Sequence, residues 1–268
     1  MPRTVLLTGT STGLGDGAAR LFLEEGWNVV ATARDPQMAV RGLEGAQLLR
    51  ARLDVTDTPS VEAAFDEAEG RFGKVDVVVN NAGIGLGGPF EGIELAQLRE
   101  HLEVNVIGVA AVCRVAIPRM RSRREGLLIN VSSVVGRVGI PLLSPYCCGK
   151  FAVEGLSEAL QYELKPFGVR VKIIEPGGIR SNFAHPWADV PAYEPFTSAV
   201  REMMVKGLQH AALPGVVARM IVTAANDRSD RLRYTASDGG SLLRIRKLLP
   251  DRFWRVFIGK VFGMPQRS

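Results

Sequence analysis

The chain has 268 residues, 46% of them apolar and 23% charged, with a net charge of +5; this is an ordinary globular balance that excludes a disordered or low-complexity chain and suffices for one α/β domain with a substantial core. The charge is uneven, since residues 241–268 hold seven Lys or Arg against one Asp and the other 240 residues hold 26 basic against 27 acidic side chains; a basic excess confined to one terminal segment argues against a nucleic-acid enzyme. Three cysteines, Cys113, Cys147 and Cys148, are an odd set with two adjacent, which suits reduced thiols better than a disulfide framework.

Met1 to Arg3 leads straight into the apolar run Val5 to Thr8 without the basic and long apolar regions of a signal peptide. No other segment reads as a spanning helix, so the expected compartment is the cytoplasm. Apolar, β-branched runs at 4–8, 28–33, 47–53, 75–80, 126–132 and 169–175 read as strands, and 13–25, 58–72, 94–121 and 145–166 read as helices. Strands this apolar belong in a sheet covered on both faces. The βα alternation predicts an α/β fold, a doubly wound parallel sheet in three α/β/α layers, as a single domain over 1–240.

The first strand runs into Thr8-Gly9-Thr10-Ser11-Thr12-Gly13-Leu14-Gly15, followed by Ala18, Ala19, Leu21 and Phe22 at helical spacing. Glycines permit a tight turn and close backbone approach, and the helix N-terminus offers free N–H groups to a pyrophosphate. This Rossmann-like order of strand, turn and helix makes Gly9, Ser11, Thr12, Gly13, Leu14 and Gly15 candidate nucleotide contacts. The Gly-x-x-x-Gly-x-Gly spacing departs from the general fingerprint, and the alternative is that the glycines serve only the turn.

The second strand ends Ala31-Thr32-Ala33-Arg34. An acid at this place would bond a ribose 2′-hydroxyl, whereas an arginine pairs with a 2′-phosphate. Arg34, supported by Ser11 and Thr12, therefore points to NADP(H) over NAD(H). The alternative is a solvated Arg34 with Asp35 in the acidic role.

Further along come Asp54-Val55 after the third strand, Asn80-Asn81-Ala82-Gly83 after the fourth, and Asn130-Val131-Ser132-Ser133 at the end of the fifth. Tyr146-Cys147-Cys148-Gly149-Lys150 opens a helix, with Tyr146 and Lys150 on one face. Hydride transfer to a carbonyl leaves an oxyanion that must gain a proton. A tyrosine does this near neutrality if its acidity rises by about three units, roughly 4 kcal/mol, which a nearby ammonium can supply. Ser133 rather than Ser132 is expected in the site from the strand period. No His spacing (His101, His185, His210) suits a metal, and none is expected.

These ordered motifs resemble the short-chain dehydrogenase/reductase family in its basic single-domain form, over residues 4 to about 182. The look is closest to members acting on steroids, retinoids or similar hydrophobic molecules. The resemblance implies that Tyr146 is the acid or base, Lys150 lowers its pKa and bonds the nicotinamide ribose, Ser133 orients the substrate oxygen, and Asn105 holds a relay water. It also implies that Asp54, with Val55, holds the adenine, that Asn81, Ala82 and Gly83 line the adenosine ribose, and that Pro176, Gly177, Ile179 and Ser181 flank the nicotinamide. Ser181 stands where the family usually has threonine. Gly149 is likewise unusual, and a glycine weakens a helix by about 1 kcal/mol. Homodimers or homotetramers built through the long helices near 94–121 and 145–166 are implied too.

Pro176-Gly177-Gly178 opens a segment to about Gly207, rich in Pro and aromatics, that reads as a long loop with a helical turn or two. It is a candidate substrate lid, about 179–210. Leu86, Val135, Leu142, Phe183, Trp187, Tyr193, Phe196 and Met203 are candidate pocket residues, and the expected partner is a secondary alcohol or ketone on an apolar body. A helix at 214–225 and a strand at 231–235 precede the basic, amphipathic tail 241–268. That tail suits docking on its own protein or a dimer mate, capping the pocket, or peripheral contact with an anionic membrane. The rival to an enzyme is a non-catalytic NADP(H)-binding sensor, which loss of Tyr146, Lys150 or Ser133 would have favoured. A weaker third reading is a membrane-peripheral binding protein, which would not need Tyr146.

Overall fold

The computed structural model describes residues 2–180, 183, 186–236 and 239–264. Its elements alternate from the start: β1 (Thr4–Thr8), α1 (Gly13–Glu24), β2 (Asn28–Ala33), β3 (Leu48–Arg52), α2 (Thr58–Phe72) and β4 (Val77–Asn80). Then come α3 (Leu95–Leu102), α4 (Gly108–Ser122), β5 (Gly126–Val131), α5 (Ser144–Leu164) and β6 (Val169–Pro176). The chain continues through α6 (Phe196–His210), α7 (Pro214–Asn226), β7 (Arg233–Ala236), α8 (Gly239–Leu248) and α9 (Asp251–Val261). Among the described residues the strands form one seven-stranded sheet of order β3-β2-β1-β4-β5-β6-β7, every neighbouring pair parallel.

Strand periodicity explains why both faces are covered. Val5 and Leu7 of β1 point into a core with α1 and α7 (Phe22, Ile221), while Leu6 points into the opposite core with α2, α4 and α5 (Phe65, Val112, Leu160). All three β1 side chains are fully buried, which is why the strand lacks polar alternation.

Three sequence expectations change. The 94–121 helix is interrupted by a π-helical turn, Glu103–Ile107. Leu95–Ser122, taken together, is 28 residues long and apolar enough to cross a membrane by length and composition, contrary to the expectation that no segment reads so. Its α4 part, however, puts Val109, Val112, Val115, Ala116 and Met120 in the core beneath the sheet. The lid segment, expected as loop with a turn or two, contains the 15-residue helix α6; its prolines fall before Phe196 and leave the following amphipathic stretch free to coil.

The tail docks on its own protein. Trp254 and Ile258 of α9 are buried with Val138, and Ile140 and Leu242 pack around them, while Arg246 sits 5.5 Å over the Trp254 ring. The outer side of α9 keeps Phe253 and Val256 about half exposed. Trp254→Ala is expected to cost about 3 kcal/mol of unfolding free energy, the usual cost of emptying a buried indole site. Chemical denaturation checks this, and a change below about 0.5 kcal/mol, the scale of ordinary surface substitutions, would mean that the tail lies outside the cooperative unit.

Candidate active site

The motifs converge at the carboxyl edge of the sheet, around the point between β1 and β4 where strand order reverses and open α/β sheets bind ligands. Gly9 leaves β1 with φ +71°. A Cβ on Gly15 would lie 2.2 Å from Gly9 O and 2.6 Å from Asn81 Nδ2, so turn and α1 approach to a distance that only glycine allows. Thr12, the N-cap of α1, makes no side-chain capping bond. The first-turn N–H groups thus stay available to an anion, with the positive end of the helix behind them.

Asn81 secures this turn. Its Nδ2 donates to Thr8 O and Gly9 O, and Thr8 Oγ1 accepts from Asn81 N and Ala82 N, all at 3.0 Å. The Asn81 amide N–H groups are therefore spent inside the protein, and Thr8 is a turn-setting residue that sequence reading missed. Leu14 packs on the core. Val55 is buried against Gly108. At Asp54 partial burial favours the neutral acid, but the Thr56 N and Oγ1 hydrogen bonds, with Arg34 and Arg52 nearby, hold the carboxyl below its usual range. Arg34 itself is exposed. Asp35 is engaged in its own turn, accepting from Gln37 N at 3.0 Å. A glycine turn with no room for a Cβ at Gly9 or Gly15, an uncapped helix start and an arginine just after β2 fit a phosphate-bearing dinucleotide.

On the other side of the edge, Ser133 Oγ accepts from Val135 N at 3.3 Å, and its single hydroxyl proton can go either to Pro176 O at 3.2 Å or to the Tyr146 phenol. Ser132 is turned inward, its Oγ 2.6 Å from where a Cβ on Gly136 would lie. Lys150 is buried, its Nζ donating to Val131 O at 2.9 Å and lying 5.7 Å from the Tyr146 ring centroid. Gly177 N donates to Ala236 O at 3.2 Å, and Ile179 pairs with Ala212. Ser181 and His185 lie outside the described residues.

The electrostatics differ from expectation. Burial pushes the Tyr146 phenol up from its ordinary value of 10, the Cys147 thiol adds to this, and the Ser133 hydrogen bond opposes it. Burial also pushes Lys150 down to about 8, with Glu154 pulling the other way. Among the protein's own groups, desolvation is the largest influence on the phenol.

Asn105 sits at the centre of the π-helical turn, 1% exposed. It clamps Ile84, accepting from its N at 3.1 Å and donating to its O at 2.9 Å. A buried polar chain behind the strands was also missed: Asn80 Nδ2 donates to Asn130 Oδ1 and Asn130 Nδ2 to Ser157 Oγ, each at 2.8 Å. It ties β4, β5 and α5 together beneath the site.

Of the expected pocket residues, Val135 and Trp187 join Tyr146 in one apolar cluster, together with Val134, Ile140, Leu143, Cys147, Met204 and, from the tail, Leu243. The Phe183 ring stands 6.1 Å from that of Tyr146. Met204 takes the place expected for Met203, one residue being about 100° around a helix. Leu86 and Leu142 are buried nearby, Gly88 N donating to Leu142 O at 2.7 Å. Phe196 is half-buried and Tyr193 is exposed, and neither belongs to the Tyr146 cluster. Among the described residues no cluster of three metal-ligating side chains occurs.

A family model described as short chain dehydrogenase matches residues 3–191. The oxidoreductase YusZ of Bacillus subtilis is 34% identical over 275 residues, covering 96% of this chain and 98% of that protein. Retinol dehydrogenase 8 of Bos taurus is 37% identical over 191 residues, 68% of this chain and 61% of that protein. The crystal structure of a short-chain dehydrogenase from Streptomyces avermitilis superposes with a TM-score of 0.84 at 32% identity, covering 97% of this chain and 96% of the other.

Proposed function

The chain belongs to the short-chain dehydrogenase family of NAD(P)-dependent oxidoreductases, and on that premise we propose that it exchanges a hydride between NADP(H) and a secondary alcohol or ketone on a hydrophobic body, with Tyr146 as general acid or base. The observation carrying this reading is the Tyr146 phenol, hydrogen-bonded to Ser133 and lined by an apolar cluster, at the sheet edge that also bears the glycine cradle. When bound, the nicotinamide supplies or accepts the hydride. Ser133 fixes the phenol, and with it holds the substrate oxygen. Tyr146 passes that oxygen its proton in reduction and removes it in oxidation. Lys150, anchored to Val131 O, brings positive charge to the phenolate as it forms. Val135, Trp187, Phe183 and Leu243 exclude water and favour an apolar substrate. The enzyme works as a homodimer or homotetramer in the cytoplasm.

Arg34 supports NADP(H): it ends β2 with its guanidinium exposed, while Asp35, the other candidate, is committed to Gln37 N. Oxidation of NADPH and NADH by a panel of hydrophobic ketones tests the function, and turnover confined to small polar sugars would defeat the substrate class. Arg34→Ala is expected to raise the NADPH dissociation constant roughly 30-fold, the worth of a charge-assisted phosphate pair, leaving NADH within about two-fold because it carries no 2′-phosphate. Equal weakening of both cofactors would remove Arg34 from the assignment.

A further inference from the structure

The basic tail is unexplained by the reaction, and its outward side differs from its inward one. Docking takes the inward side: Trp254 and Ile258 of α9 are buried with Val138, and Leu243 of α8 joins the apolar cluster around Tyr146. Successive helical residues stand about 100° apart, so Val256 lies about 160° around α9 from both Trp254 and Ile258, with Arg252, Phe253 and Lys260 within about 60° of it. Val256 and these three neighbours are exposed. Leu248, at the corner between the two helices, is 80% exposed. The one acidic side chain of the tail, Asp251, is taken by Arg246 at 2.7 Å. Arg244, Lys247, Arg252, Arg255 and Lys260, all exposed, therefore have no carboxylate side chain of the tail to neutralise them. Lone apolar side chains at a surface need no explanation, but Leu248, Phe253 and Val256 stand among five such cations on one short segment.

We propose that this outward side of α8 and α9 is a docking surface for an anionic lipid bilayer, the cations meeting lipid phosphates while Leu248, Phe253 and Val256 enter the headgroup boundary. Charge selects this occupant. The other 240 residues are near balance, 26 basic against 27 acidic, so the attraction is local to the tail and turns α9 toward the surface. A second copy paired symmetrically through the same face would set five cations against five, which is repulsive. A bilayer takes up cations and apolar side chains together, at the depth where phosphate gives way to acyl chain. The main apolar stripe of α9 is spent on Val138, so the contact is peripheral and salt-sensitive. Because Leu243 of the same tail belongs to the Tyr146 cluster, the pocket lies directly behind the bilayer-facing segment, next to the phase in which an apolar ketone dissolves. That supply of substrate rests on the catalytic reading above; the docking itself does not.

The test is co-sedimentation of the full-length protein with vesicles of phosphatidylcholine, alone or with phosphatidylserine. Binding is expected to the phosphatidylserine vesicles at about 0.1 M salt and is lost at about 0.5 M, where screening shortens the reach of the charges; the neutral vesicles should bind little. Arg252→Gln with Lys260→Gln is expected to weaken vesicle binding about 25-fold, about five-fold for each cation. Val256→Asp should weaken it at least about 10-fold through lost apolar contact. Removing two exposed cations elsewhere, Arg219→Gln with Arg228→Gln, should leave it within about two-fold, because they lie off this face. No binding to the anionic vesicles, equal binding to the neutral ones, parental binding in the Arg252 and Lys260 pair, or an equal loss in the Arg219 and Arg228 pair would overturn the proposal. So would a dimer, seen by light scattering, that Val256→Asp splits, since the face would then belong to a second copy. If Val256→Asp fails to fold, the Arg252 and Lys260 pair decides. Vesicle binding without ketone turnover would fell the catalytic reading and leave the docking standing.

Discussion

Tyr146→Phe is expected to lower kcat for ketone reduction by about 10³-fold, within the range for losing a general acid, while the NADPH dissociation constant moves less than about two-fold because the removed bond is made to the reacting oxygen. The ring contacts with His101 and Phe183, at 6.0 and 6.1 Å between centroids, survive the change, so the fold and the pocket wall stay. What disappears is the proton and the Ser133 hydrogen bond. A variant that keeps a tenth or more of the parental kcat would remove the phenol from the mechanism, since general acid catalysis is worth at least about 10². Lys150 gives the same site a pH signature. Its ammonium is pushed down to about 8 by burial, Glu154 opposing, so it loses charge before an ordinary lysine, and kcat/KM for reduction is expected to fall as pH rises through about 8. Stability from this group moves the opposite way. The folded state binds fewer protons than the unfolded chain between about 8 and the ordinary lysine value of 10.5, so unfolding free energy gains a positive pH slope there. Activity and stability diverging across that window would be the mark of a buried lysine ammonium; both falling together would argue against it.

Most of the sheet was legible because burial on two faces leaves an unmistakable pattern: β1, β2 and α2 occupy the residues that periodicity assigned to them. The glycine turn, Ser133 and the Tyr146–Lys150 pair were legible because each needs a particular residue type at a fixed offset from an element end. What stayed hidden depends on contacts between distant segments. No local signal shows that Asn81 spends its amide on Thr8 and Gly9, or that Trp254 docks on Val138. Desolvation of the phenol is hidden in the sequence for the same reason: a lysine one helical turn from a tyrosine reads as charge support, while how deeply both are buried is a tertiary fact. In the sequence His101 fits no metal-ligand spacing and Gly149 reads only as a helix weakener. That a Cβ on Gly149 would stand 3.1 Å from His101 Nε2 is a contact between segments that no local pattern shows.

Gly15→Ala separates a nucleotide cradle from a turn that merely happens to be tight. The added methyl would sit 2.2 Å from Gly9 O and 2.9 Å from Gly9 C, and Gly9 O is itself held by Asn81 Nδ2 at 3.0 Å. Neither neighbour is a flexible side-chain end, so α1 must shift away from the turn, and overpacking of this kind costs about 1–3 kcal/mol. If the turn and the α1 N-terminus bind the pyrophosphate together, the shift breaks their shared geometry. NADPH and NADH should then both weaken by roughly 100-fold, the upper end of that cost, unlike Arg34→Ala, which separates the two cofactors. Gly13→Ala is the internal control: its φ of +62° strains an alanine, at about 1 kcal/mol, but its Cβ would meet nothing within 4 Å, so a loss of only about five-fold is expected. If the glycines served the turn alone, both variants would lower the melting temperature and, at a temperature where the fold persists, bind cofactor as the parent does. Fluorescence titration with the two cofactors on the folded variants distinguishes these outcomes, and parental affinity in Gly15→Ala would move the nucleotide away from β1 altogether.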